Sequence, residues 1–196
     1  MRAIRAACVL LGIGLVLYAA GVVAQEKPGK EGKPDKAKVT HPGFEKLKSL
    51  AGEWVLAEKP KAAAEEKTDA KPDKSADEQV AIVYKVVSAG SVVMEHMFPG
   101  TPHEMVTMYH LDGPDLVLTH YCAAGNQPRM KAEKSDDANK LVFKFTGGTN
   151  MDPAKDGHMH DLTWTFIDSD HVRAEWTFFE DGKKSDVTVL DLKRKK

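Results

Sequence analysis

From Gln79 onward the chain alternates apolar and polar positions in short runs broken by turn residues. Leu141, Phe143 and Phe145 fall on one side of such a run, against Val142 and Lys144. His160, Leu162, Trp164 and Phe166 alternate with Asp161, Thr163 and Thr165, and Val172, Ala174, Trp176 and Phe178 with Arg173, Glu175 and Thr177. A period of two is the signature of a strand with one buried face. The breaks carry turn chemistry: 88–91, 99–102, 112–115 and 125–128 each hold Gly, and all but the first hold Pro as well. Asp181-Gly182 is a two-residue hairpin signal. These marks predict strands over 80–87, 92–98, 103–111, 116–122, 129–133, 141–145, 160–166, 172–178 and 184–192, with a longer loop over 147–157.

The pattern ahead of them is different. Phe44, Leu47, Leu50 and Ala51 recur at helical spacing, with Glu45, Lys46 and Lys48 on the opposite side. Gly52 stops that helix and a strand follows over 53–56. Trp54, placed directly after the helix, is expected to plug one end of what the sheet encloses. The whole predicts an all-β fold: an antiparallel up-and-down barrel of about ten strands with a short N-terminal helix. The lack of crossover helices in the pattern argues against a parallel sheet. Closure of the meander removes the exposed edges.

The N-terminus reads as a secretory signal over 1–24, with Arg2 and Arg5 before an apolar run and Val22-Val23-Ala24 before a cut. The alternative is a retained anchor, for which the run is short. Residues 25–40 are rich in Lys, Glu, Pro and Gly and read as a disordered charged tether. Residues 57–78 have similar composition and read as a solvated insertion in a single barrel domain over 41–196. The expected location is export, to the periplasm or the extracellular space, with no membrane contact after cleavage. Cleavage removes two arginines and takes the formal charge from −1 to −3, leaving 172 of 196 residues. That near neutrality gives no basic excess for nucleic acid. Of the two cysteines, one leaves with the signal, so Cys122 has no partner for a disulfide and the core must carry stability.

The helix, Gly52-Glu53-Trp54 and the ten-strand meander resemble the calycin group of lipocalins, fatty-acid-binding proteins and nitrobindin-like barrels. The stretch from 98 to 130 is similar to bacterial lipocalin-like proteins of the DUF1579 type, a family with no established activity. The resemblance covers 41–196 and implies a barrel closed at one end by the helix and Trp54. It departs from the fatty-acid-binding pattern, since the last strand, Val187-Thr188-Val189-Leu190-Asp191-Leu192, lacks the Arg-x-Tyr pair that holds a carboxylate. Haem-binding barrels carry a proximal histidine on a late strand, and His158 and His160 stand in that region without a motif match.

Register counting from the 112–115 turn sets Leu111 opposite Leu116, Tyr109 opposite Leu118, Thr107 opposite His120 and Met105 opposite Cys122. Those residues share one face; His110, Met108, Thr119 and Tyr121 share the other. Apolar content does not say which is inside. With the first set inside, Thr107, Tyr109, His120 and Cys122 line a pocket with Trp54, Trp164 and Trp176, and Arg129 stands near its rim. These eight residues are the candidate ligand contacts. The plainer reading makes His120 and Cys122 a satisfied core pair; a thiolate–imidazolium nucleophile lacks a nameable acid or oxyanion hole. His158-x-His160 has the spacing of a metal pair. The hairpin register places His160 opposite Phe178 and roughly 23 Å from His171, so these cannot share an ion. No catalytic or metal-binding set and no cofactor is predicted, haem remaining the alternative. The expected function is a binding module for a small apolar or amphipathic molecule; the alternatives are a haem, metal or enzymatic protein using histidines, and a structural protein with a filled core.

Overall fold

The computed structural model describes residues 40–57 and 79–196. The expected signal, the tether but for its last residue and all but the first residue of the insertion lie outside the described residues. Helix α1 spans Pro42–Ser49. Its start is set by His41, whose Nδ1 accepts from the Phe44 amide at 3.4 Å, and by Pro42 in the first turn, where a missing N–H costs nothing. Phe44, Leu47 and Leu50 are buried beneath it. Gly52 then takes φ 131°, a conformation open to glycine, and the chain enters the sheet.

Ten strands follow: β1 (Gly52–Leu56), β2 (Val80–Val87), β3 (Val92–Met97), β4 (Met105–Asp112), β5 (Asp115–Tyr121), β6 (Gln127–Ala132), β7 (Lys140–Thr149), β8 (His158–Phe166), β9 (His171–Glu180) and β10 (Lys183–Arg194). Each pairs antiparallel with its neighbours in the chain, and β1 pairs with β10 to close the barrel. The expected up-and-down barrel with a short helix is therefore the fold.

The closing seam is bolted by Arg194. It donates from Nη1 to Ala51 O at 2.9 Å and from Nη2 to Ser49 O at 3.0 Å, meeting the carbonyls left open at the end of α1. It also bonds Asp170 and lies over the Trp54 ring at 4.5 Å. Trp54 in turn donates from Nε1 to Leu50 O at 2.7 Å. As expected, this tryptophan closes the α1 end of the barrel, and it is wholly buried.

The register of β4 and β5 is the counted one, from Leu111–Leu116 through Tyr109–Leu118 to Thr107–His120. Thr107, Tyr109, Leu116, Leu118 and His120 are buried, so the first set faces inward; His110 and Tyr121 lie on the outer side. The Asp181-Gly182 turn joins Glu180 to Lys183, both central residues at positive φ. Three expectations change. Strand β4 starts at Met105, because 99–104 is tied into a turn by Glu104, which accepts from the Gly100 amide at 2.9 Å. Strand β7 continues to Thr149, pairing with Gln127 of β6. A bulge after Met159 shifts the β8–β9 register, so Met159 rather than His160 stands opposite Phe178.

Candidate functional site

The barrel interior contains one row of polar residues that crosses four strands. Tyr84 of β2 stands opposite Glu95 of β3, Glu95 opposite Thr107 of β4, and Thr107 opposite His120 of β5. All four are buried. Period-two alternation turns each inward at the same level, and the pleat brings facing side chains within hydrogen-bond reach. Tyr84 Oη donates to Glu95 Oε1 at 2.7 Å, and Tyr109 Oη, from the next inward position on β4, donates to Oε2 at 2.8 Å. Thr107 Oγ1 and His120 Nδ1 are 2.9 Å apart. Trp164 Nε1 donates to Tyr109 Oη at 3.4 Å.

Glu95 is the centre of this network and is wholly enclosed. Burial raises its pKa above the ordinary value, against the lowering effect of its bonds from Tyr84, Tyr109 and Thr107. The same burial, reinforced by the carboxylate, holds both phenols well above the usual tyrosine range. Burial also pushes the His120 imidazole down to about 4, so it is neutral near pH 7. Its Nε2 has no partner among the described residues, and neither do Trp176 Nε1 or Asn126 Oδ1. The His120 and Trp176 rings lie 4.7 Å apart.

Around the row the interior is aromatic. Trp54 meets Tyr84 edge-on at 6.3 Å, Tyr84 meets Trp164 at 6.1 Å, and Tyr109 meets Phe143 at 5.7 Å. Partly buried apolar side chains edge the core at both ends of the barrel: Leu111, Ala132 and Phe166 toward α1, and Leu56, Phe98, Met105 and Met159 at the other end. Cys122 is partly exposed there, its Sγ 4.0 Å from Met105 Sδ.

Six of the eight expected contacts are therefore wholly interior: Trp54, Thr107, Tyr109, His120, Trp164 and Trp176. Cys122 joins them at the edge. Arg129 does not: it stands opposite Thr119, between the buried Pro128 and Met130, and is exposed on the outer wall. Glu95 and Tyr84 were missed. The signal was present in the run Val93-Met94-Glu95-His96-Met97, where alternation puts an acid between two apolar residues on one face.

His158 and His160 form a separate group. His158 Nδ1 donates to Asp156 O at 2.8 Å, which leaves its Nε2 to accept from His160 Nδ1 at 3.1 Å. His160 is stacked between Phe145 at 4.6 Å and Phe179 at 3.8 Å. Burial lowers its pKa, opposed by Asp161. The two histidines of this group are bonded to each other, while His120 is packed against Trp176 with no exposed surface. Among the described residues no group of three or more His, Cys, Asp or Glu is placed to hold a metal ion.

Fold and interior together define a closed antiparallel β-barrel with a polar seam buried in an aromatic core. No protein-family model matches the chain, and no curated protein matches it either.

Proposed function

We propose that this chain is an exported, lipocalin-like binding barrel that takes a small apolar or amphipathic molecule at the end away from α1. One observation carries the reading: His120 Nε2 and Trp176 Nε1 are buried polar atoms without partners among the described residues, and the partly buried Met105 and Cys122 come next along the inward face from Thr107 and His120. Buried polar atoms are rarely left unpaired, since each orphan costs about 1–3 kcal/mol. A ligand with an apolar body and one polar end would satisfy them. The site in this reading is a shallow vestibule rather than a deep calyx, because the interior below it is filled. Export rests on Arg2, Arg5 and the apolar run that follows them.

The test is native mass spectrometry on protein purified from its host, with titration of a fluorescent fatty-acid probe monitored through tryptophan emission. A co-purified small molecule, or saturable one-to-one probe binding that weakens in Trp176→Phe, is the expected result. No bound molecule and no saturable binding would remove the proposal. That outcome would favour the second reading, a structural or interaction module. Its support is the solid interior, where Trp54, Tyr84, Tyr109, Phe143 and Trp164 have at most 1 % exposure.

A further inference from the structure

Next to the polar row lies a second inward row, and it is rich in sulfur. Ile82 of β2 stands opposite Met97 of β3, and Met97 opposite Met105 of β4. Cys122, just past the end of β5, continues the row, with its Sγ 4.0 Å from Met105 Sδ. His120 is the inward residue immediately before Cys122, about 7 Å away along the strand. Its Nδ1 is engaged by Thr107, its ring projects against Trp176, and its Nε2 is enclosed and without a partner among the described residues.

We propose that Cys122, Met105 and His120, with Met97 beside them, form a binding site for a soft monovalent metal ion of the Cu(I) or Ag(I) class. Thiolate and thioether are the ligands that select such ions, and imidazole suits copper. Two sulfurs each about 2.3 Å from a shared ion in a trigonal arrangement stand about 4 Å apart, the separation present here. The Thr107 bond to Nδ1 fixes the ring and leaves the other nitrogen to bind, the usual outer-shell arrangement of a metal histidine. Partly exposed Cys122 and Met105 give the ion a way in. On binding, the Cys122 thiol gives its proton to solvent and its sulfur forms the metal bond, so the ion's positive charge is balanced with no change of oxidation state. The site goes beyond small-molecule binding and competes with it for His120 Nε2 and the ground beside Met105 and Cys122, so Cu(I) withdrawal and probe binding report on the two separately.

The experiment is competition for Cu(I) against bicinchoninate, using the full chain in a Cys8→Ser background. That substitution removes the other thiol. The parent protein is expected to withdraw one equivalent, with X-ray absorption showing two or three sulfurs near 2.3 Å and one nitrogen. Met105→Leu keeps the volume, and Cys122→Ser changes one atom of a partly exposed residue; both are expected to fold by circular dichroism. Each is expected to weaken the ion by more than the roughly 10–100-fold that loss of an outer-shell partner costs. Failure to withdraw Cu(I), affinity unchanged in both variants, or a spectrum without a nitrogen ligand would each overturn the site.

Discussion

Replacing Glu95 by Gln tests whether burial or hydrogen bonding governs the polar row. The amide keeps the volume of the acid but cannot ionise. Glu95 uses one oxygen for Tyr84 and the other for Tyr109. At acid pH the protonated acid offers a carbonyl acceptor and one O–H donor, and the amide a carbonyl acceptor and an NH2 group with one donor more, so the two proteins should differ by about 1 kcal/mol, one hydrogen bond's worth. The folded-state pKa of Glu95 is raised above its ordinary 4.5. The native state therefore holds its proton to higher pH than the unfolded chain does. Stability from that proton is complete below the unfolded value and is lost as pH rises through the folded one. Within the window the wild type falls relative to Glu95→Gln by up to about 1.4 kcal/mol per pH unit. Urea melts of both proteins at a series of pH values measure the difference directly. In heat, each kcal/mol is worth about 2–4 °C for a chain this long. A difference that stays flat, or that moves in favour of the wild type as pH rises, would refute the reasoning; it would mean that the hydrogen bonds to the carboxylate outweigh desolvation. Glu95→Leu is a harsher control: it leaves two phenols without an acceptor and should cost about 2–6 kcal/mol at every pH.

His120 acts in the opposite direction, because its imidazole is pushed from 6.5 down to about 4 and the unfolded chain binds its proton first. The wild type should lose roughly 3 kcal/mol relative to His120→Gln as pH falls across that interval, read from paired urea melts. Arg194→Ala removes the bonds to Ala51 and Ser49 and the cover on Trp54. It should cost about 2–4 kcal/mol in denaturant unfolding, with Arg194→Lys restoring little because the fork is lost. Gly182→Ala, at φ 67° in the β9–β10 turn, should cost about 1 kcal/mol in the same assay.

Much of the fold was legible because a period of two depends only on neighbouring residues. Alternation in 141–145, 160–166 and 172–178 and the Asp181-Gly182 turn sufficed to define strands and a hairpin. Turn length alone set the β4–β5 register, so the pairing of Thr107 with His120 followed from counting. Bulges escaped that counting. The extra residue after Met159 appears only in the pairing of β8 with β9, and it moved His160 from Phe178 to a stack on Phe179. Arg129 escaped it too: its side depends on the pairing of β5 with β6 across a longer turn.

Thr107, Tyr109, His120 and Cys122 were joined from the chain because they lie on one hairpin. Glu95 was left out because its face is settled only when β3 is laid beside β2 and β4. An acid between Val93 and Met97 is a plausible surface residue until closure surrounds it. By itself, then, the sequence determined a ten-strand meander, its helix and the pairings within short hairpins, all consequences of local sterics and period. Which face of that meander turned inward, and that Tyr84, Glu95, Thr107 and His120 align in one buried row, were decided by barrel closure. Only closure fixes the register of every strand at once, and only an enclosed interior makes a carboxyl group depend on its two phenols.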